Sequence, residues 1–305
     1  MRRFIDIGAN LTDGMYQGMY NGSKKHDADI GGVLKRSWEG GLSKMIITGG
    51  SLEESQRAID LARTDDKLYA TVGCHPTRCL EFENSGCSPE EYLANLGSLV
   101  NANRDKVVAF GECGLDYDRL QFCPKETQKK YLQLQLTLNE SLDLPLNESL
   151  DLPLFLHCRN AAADLQNLLA PYSFKGVVHS FDGTVEEARK FIDLGYFIGV
   201  NGCSLKTPAN LETVKQLPIE KLLMETDSPW CEIRPTHAGY RFLQEENKSI
   251  PAVKKEKFKE GCLVKGRNEP VNIRQVLDVI AGVKSESADK ICERIFQTTN
   301  ELFFS

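Results

Sequence analysis

The 305-residue chain is 41% hydrophobic and 26% charged, with a formal net charge of −6. That composition suits a globular α/β protein, as one large domain or two small ones, with ample surface to bury in a core. It excludes broad non-specific coating of nucleic acid, though not a nuclease working through cations and a local basic patch, and no apolar run approaches the ~20 residues of a membrane span.

The first residues, Met1-Arg2-Arg3-Phe4-Ile5-Asp6, meet a charge too early for a secretory leader. Apolar runs at 3–8, 44–48, 69–73, 107–111, 154–156, 176–178, 196–200 and 222–226 read as eight strands. Amphipathic stretches such as 51–64, 89–101, 125–142 and 185–194 read as helices between them. Ser51 with Glu54 three residues on reads as a capping box, and Thr184 as an N-cap followed by acids in the first turn. Eight β-then-α units favour a (β/α)8 TIM barrel over an open doubly wound sheet, as one domain over 1–305. No Gly-x-Gly-x-x-Gly follows the first strand, which counts against a dinucleotide fold. The tail, 272–283 and 288–304, is apolar at helical spacing and is expected to pack outside the barrel.

Ten cysteines occur without a Cys-x-x-Cys pair, which disfavours structural zinc and fits thiols in a reducing compartment, nucleus or cytosol. Strand alternation turns Cys74, Cys113 and Cys158 toward the helix layer as small core residues. The octapeptide Leu-Asn-Glu-Ser-Leu-Asp-Leu-Pro at 138–145 is repeated at 146–153. Pro145 is expected to stop the preceding helix, and the extra copy to loop away from the site.

The strand ends carry the chemistry. In order they fall at or near Asn10, Thr48, His75, Glu112, His157, His179, Asn201 and Asp227, all polar, and in a barrel they converge on one face. Three of the five histidines are among them. Glu112 ends an apolar run beside glycine, where a buried carboxylate is costly without a metal or partner. Two imidazoles and two carboxylates, His157, His179, Glu112 and Asp227, make a site for one or two hard-to-borderline divalent cations. Magnesium or manganese fits first, zinc second, and no organic cofactor is called for. Such a site polarises a phosphoryl oxygen and activates a water, with Asp227 chosen to take the proton. Arg159 can hold a phosphate, and Asn10 and His75 can contact substrate or a second metal. His75-Pro76 also reads as a plain turn. An irregular segment, 231–271, follows the last strand. Trp230 at its edge can stack on a base, and the cations from Lys248 to Arg267 can line a groove for a nucleic-acid backbone or face solvent.

Together these stretches resemble a known family. Phe4-Ile5-Asp6-Ile7-Gly8-Ala9-Asn10-Leu11-Thr12, Gly73-Cys74-His75-Pro76, Gly111-Glu112-Cys113-Gly114-Leu115-Asp116-Tyr117, Leu156-His157-Cys158-Arg159, Val178-His179-Ser180-Phe181, Glu225-Thr226-Asp227-Ser228-Pro229-Trp230 and Arg267-Asn268-Glu269-Pro270 resemble the TatD-type deoxyribonucleases, their eukaryotic branch above all. The resemblance covers nearly the whole chain. It implies a metal-dependent TIM-barrel hydrolase acting on DNA, single-stranded or at frayed ends, with 3′-to-5′ exonuclease activity and endonuclease activity within the family. It implies metal ligands at Glu112, His157, His179 and Asp227, substrate contacts at Arg267 and Asn268, and a nuclear location, with the cytoplasm as alternative. Many relatives carry His-x-His at the end of the first strand, where this chain has Gly8 and Asn10. Either Glu112 and Asp227 hold that ion with water, or it arrives with substrate. A small-molecule hydrolase and a non-catalytic barrel remain alternatives, since a fold does not fix its substrate.

Overall fold

The computed structural model describes residues 2–142, 152–248 and 251–305. Eight parallel strands run in chain order around a (β/α)8 barrel: β1 Phe4–Ala9, β2 Leu42–Ile47, β3 Leu68–Val72, β4 Val107–Asp116, β5 Leu154–Arg159, β6 Gly176–His179, β7 Phe197–Val200 and β8 Leu222–Met224. Both faces of such strands are covered, which is why they read as continuous apolar runs without clean alternation. The ring closes between β8 and β1. Asp227 N donates to Gly8 O at 2.8 Å, and Thr226 donates from N and Oγ1 to the Asp6 carboxylate at 2.9 and 2.5 Å.

Among the described residues the longer crossover helices are α1 Ile30–Glu39, α2 Leu52–Ala62, α3 Pro89–Ala102, α4 Lys125–Leu142, α5 Ala162–Leu169, α6 Val185–Asp193 and α7 Pro208–Gln216; α8 Ile273–Lys284 and α9 Ala288–Phe303 form the tail. Thr184 closes a full capping box with Glu187. Ser51 caps α2 from one side only: its side chain accepts from Glu54 N, while the Glu54 carboxylate turns to Arg78 at 3.0 Å.

Two apolar layers hold the barrel. Ile5, Ile7, Ile46, Ala109, Phe155, Val177 and Leu223 pack as one cluster with Phe303 of α9, and Phe296, Leu302 and Phe304 pack against it. Arg3, at the strand beginnings with Lys44 and Tyr69, lies over Phe296 of α9, and the other two lie against Phe304 just beyond it. The tail therefore closes the N-terminal end of the barrel, which leaves the C-terminal end open. The larger cluster lies between strands and helices and takes in Cys74, Cys113 and Cys158, all buried.

One strand differs from expectation in a way that matters. β4 does not stop at Gly111 but runs to Asp116, so Glu112 lies inside it. A register shift against β5 falls between Gly111 and Cys113. Gly111 and Gly114 sit at φ 142° and 146°. A Cβ at either would stand 2.1 Å from Phe155 O or 2.0 Å from His157 O, so only glycine lets β4 approach β5 this closely. The irregular segment after β8 carries short elements, among them Ala252–Val253 paired in parallel with Leu263–Val264. The tandem repeat falls largely at 143–151, outside the described residues, and Pro145 with it; α4 reaches Leu142. Among the described residues no helix is long and apolar enough to cross a membrane.

Candidate metal centre and catalytic cleft

The strand ends open into a cleft of about 940 Å³ lined by Asn10, His75, Glu112, His157, Arg159, His179, Asp227 and Trp230, among others. Its centre is the Glu112 carboxylate. Three imidazoles converge on Oε1: His179 Nε2 at 2.7 Å, His157 Nδ1 at 2.9 Å and His75 Nε2 at 3.4 Å. The bulge in β4 aims Glu112 at this point, as bulges beside active sites commonly re-aim a side chain. Burial alone would raise the Glu112 carboxyl, but the charges of His179 and His75 and the hydrogen bonds from His157 and His179 hold it well below the usual range. Burial likewise works to lower His179, and the carboxylates of Glu112 and Glu225 override it and hold the ring well above its ordinary value. At His75 burial outweighs the attraction of Glu112 and pushes the ring down to about 3, and its Nδ1 accepts from Thr77 N at 3.2 Å.

Ligand atoms of Glu112, His157 and His179 lie within 4.8 Å of one another, and so do those of His75, Asp116 and His157. Buried imidazole nitrogens and carboxylate oxygens packed this closely are a donor set for a divalent cation. Asp227 joins neither group. It lines the same cleft, but Oδ1 accepts from Asn10 Nδ2 at 2.8 Å and Oδ2 from Cys231 Sγ at 3.2 Å. Burial pushes its carboxyl up to about 6, a value suited to accepting and releasing a proton near neutrality.

Two carboxylates were not anticipated. Asp116 Oδ2 lies 3.2 Å from His157 Nε2. It stands four residues past Glu112, the same side of a strand by alternation, and that parity was the available signal once β4 is known to continue. Glu225 is fully buried: Oε1 accepts from Ser180 N at 2.5 Å and Asn201 Nδ2 at 3.2 Å, and Oε2 faces His179 Nδ1 at 3.5 Å. A carboxylate facing Nδ1 favours the tautomer with its proton there, which suits Nε2 to ligate.

The structure corrects two substrate assignments. Arg267 is enclosed with Asp29 and Glu269, donating to their carboxylates at 2.6 and 2.8 Å, and its guanidinium does not reach the cleft. Asn268 is buried beside it, its amide donating to Thr226 O and accepting from Glu269 N and Asn272 Nδ2. An always-charged side chain in a basic run reads as surface; only the fold shows two carboxylates enclosing it. Nor does the basic stretch from Lys248 to Arg267 line the cleft among the described residues. The cations that do are Arg57, Arg78, Arg119 and Arg159. Arg159 pairs with Asp182, and the other three are about half exposed at the rim. Trp230, 49% exposed, shares that rim.

Known proteins share this frame. A family model described as TatD related DNase matches residues 5–304. The chain is 44% identical over 306 residues to a Schizosaccharomyces pombe protein named Deoxyribonuclease Tat-D, covering 98% of this chain and 95% of that one. It is 31% identical over 290 residues to a Shigella flexneri protein named 3′-5′ ssDNA/RNA exonuclease TatD, covering 93% and 92%. A solved structure of a hydrolase TatD family protein from Entamoeba histolytica superposes with a TM-score of 0.91 at 40% identity, covering 99% of this chain and 98% of that one.

Proposed function

The chain belongs to the TatD related DNase family and is a metal-dependent deoxyribonuclease; we propose that it removes nucleotides from single-stranded 3′ ends of DNA. The observation that carries this reading is the convergence of Glu112, His157 and His179 at the floor of a cleft rimmed by arginines. Glu112, His157 and His179 would hold the cation, with Asp227 as a fourth ligand or its neighbour. Magnesium or manganese suits the oxygen donors, and the imidazoles also admit zinc. A divalent ion bound there supplies Lewis-acid polarisation of a phosphoryl oxygen and acidifies a water.

The chain's own groups do the rest. Asp227 takes the proton of the attacking water, and Asn10 holds its other oxygen in place. Glu225 fixes the His179 ring, and Asp116 fixes the His157 ring. Arg159, released from Asp182 by a phosphate, grips the scissile or neighbouring phosphodiester, and Arg57, Arg78 and Arg119 follow the backbone outward. Trp230 offers a face to an unpaired terminal base, a contact that bases already stacked in a duplex do not need.

The test is degradation of single-stranded DNA labelled at either end, with magnesium, manganese, zinc or a chelator, beside Glu112→Ala. Metal-dependent shortening from the 3′ end, lost in the variant, is the expected result. Equal cleavage by the variant would place the chemistry elsewhere, and shortening from the 5′ end would overturn the polarity.

A further inference from the structure

Beside the metal centre lies a pair of side chains that the hydrolysis does not use. Cys203 stands in the turn after β7 and Cys231 in the turn after β8, and both line the cleft, neither fully buried. Their sulfurs are 2.7 Å apart, and both are reduced. The two turns touch along their backbones as well: a Cβ at Gly202 would stand 1.9 Å from Cys231 O. Cys231 also donates its thiol proton to Asp227 Oδ2 at 3.2 Å.

Six of the other eight cysteines, Cys74, Cys79, Cys113, Cys123, Cys158 and Cys292, are buried in the core. Cys87 and Cys262 are partly buried, and Cys87 contacts Ser85 Oγ at 3.3 Å. Cys203 and Cys231 therefore combine what a readily oxidised pair needs: solvent access from the cleft, a second sulfur within reach, and turns already in register.

We propose that Cys203 and Cys231 are a redox modification site, which a peroxide converts to an intrachain disulfide that lowers nuclease activity. One sulfur attacks a peroxide oxygen; the O–O bond breaks, a sulfenic acid forms and one water leaves. The other sulfur attacks the sulfenic sulfur; the S–O bond breaks, the S–S bond forms and a second water leaves. Two thiols give up two electrons and two protons, and the peroxide takes both pairs. Asp227 Oδ2 then loses its S–H donor, and the turn bearing Trp230 is tied covalently to the turn after β7. A dithiol reductant reverses the step.

The activity half of this proposal rests on the nuclease reading; the covalent half does not. The full-length protein with magnesium is exposed to a few equivalents of hydrogen peroxide, alkylated, digested and read by mass spectrometry, with single-stranded DNA degradation followed in parallel. The expected first product is the cross-linked peptide pair containing Cys203 and Cys231, with a several-fold fall in rate that dithiothreitol restores. Cys203→Ser and Cys203→Ala should keep the starting rate, form no cross-link and show no such fall. Prior oxidation elsewhere, or over-oxidation of Cys203 without a cross-link, overturns the site. A cross-link that leaves the rate unchanged, or equal loss in the Cys203 variants, overturns the control of activity. If the reduced protein degrades no DNA, the nuclease reading has failed, and the cross-link is still read by mass.

Discussion

Gly8 and the Glu225 carboxylate share one space at the barrel's mouth: a Cβ built at Gly8 would stand 2.8 Å from Glu225 Oε2 and 3.0 Å from the Phe155 ring. In the family pattern that this chain resembles, many relatives place the first histidine of His-x-His at this position. Here the room is taken by a carboxylate that supports His179 from behind. With Glu225 in this position, Gly8 has no room for a larger side chain.

That shared space predicts coupling. Gly8→Ala should destabilise the protein by about 1–3 kcal/mol through overpacking. The cost should shrink in a Glu225→Ala background, with an interaction free energy on the order of 1 kcal/mol. Denaturant unfolding of the four proteins measures it; strict additivity would mean that the two residues do not compete for space.

Asp116 should matter to the metal rather than to the fold. With its carboxylate gone, His157 loses the partner on Nε2, and supporting residues of this kind change metal affinity or activity by about 10–100-fold. Asp116→Asn, titrated with manganese by calorimetry, should bind in that range more weakly. Unchanged affinity would leave Asp116 without a role at the centre.

The rim arginines should act through phosphate. Each contact to single-stranded DNA contributes about 0.7 to the slope of log affinity against log salt. Arg119→Ala, half exposed at the cleft edge, should therefore weaken binding of a long oligonucleotide and reduce that slope by roughly this amount. Turnover of a dinucleotide, which offers only one internal phosphate, should fall less than that of the long oligonucleotide. An unaltered slope would move the DNA path away from Arg119.

Arg267 should prove structural. Its guanidinium lies between Asp29 and Glu269 with essentially no exposure. Removing one partner of a buried ion pair typically costs about 3–5 kcal/mol, because the other charges are left uncompensated. Arg267→Met should lower the thermal midpoint sharply, and the protein that remains folded should bind DNA normally. A stable variant with weakened DNA binding would restore the substrate role.

Asp6 sets a dependence on pH. Burial pushes its carboxyl up to about 8, against hydrogen bonds from Thr226 and Gly8 that favour the charged form. An acid whose pKa is higher folded than unfolded contributes stability that is full below the unfolded value, near 4, and lost as pH rises through the folded one. Stability measured from pH 5 to pH 8 should therefore fall for the native protein relative to Asp6→Asn, which has no proton to lose. Parallel curves would show that Asp6 stays ionised throughout.

The order of apolar runs and intervening amphipathic stretches was enough to lay out the barrel, because parallel strands covered on both faces leave continuous hydrophobic runs in the chain. The polar residues ending those runs named Asn10, His75, Glu112, His157, His179 and Asp227 for the cleft, because in this fold every strand end meets the same face. What the chain order does not contain is distance across that face. The reach of β4 to Asp116 depends on a bulge and on glycines pressed against β5, which interrupt the apolar run and make the strand look finished at Gly111. Glu225 behind His179, the enclosure of Arg267 by Asp29 and Glu269, and the meeting of Cys203 with Cys231 each join residues far apart in the chain or on neighbouring turns. Local patterns record which face a side chain takes, whereas these pairings are decided by how the ring closes and what space remains inside it.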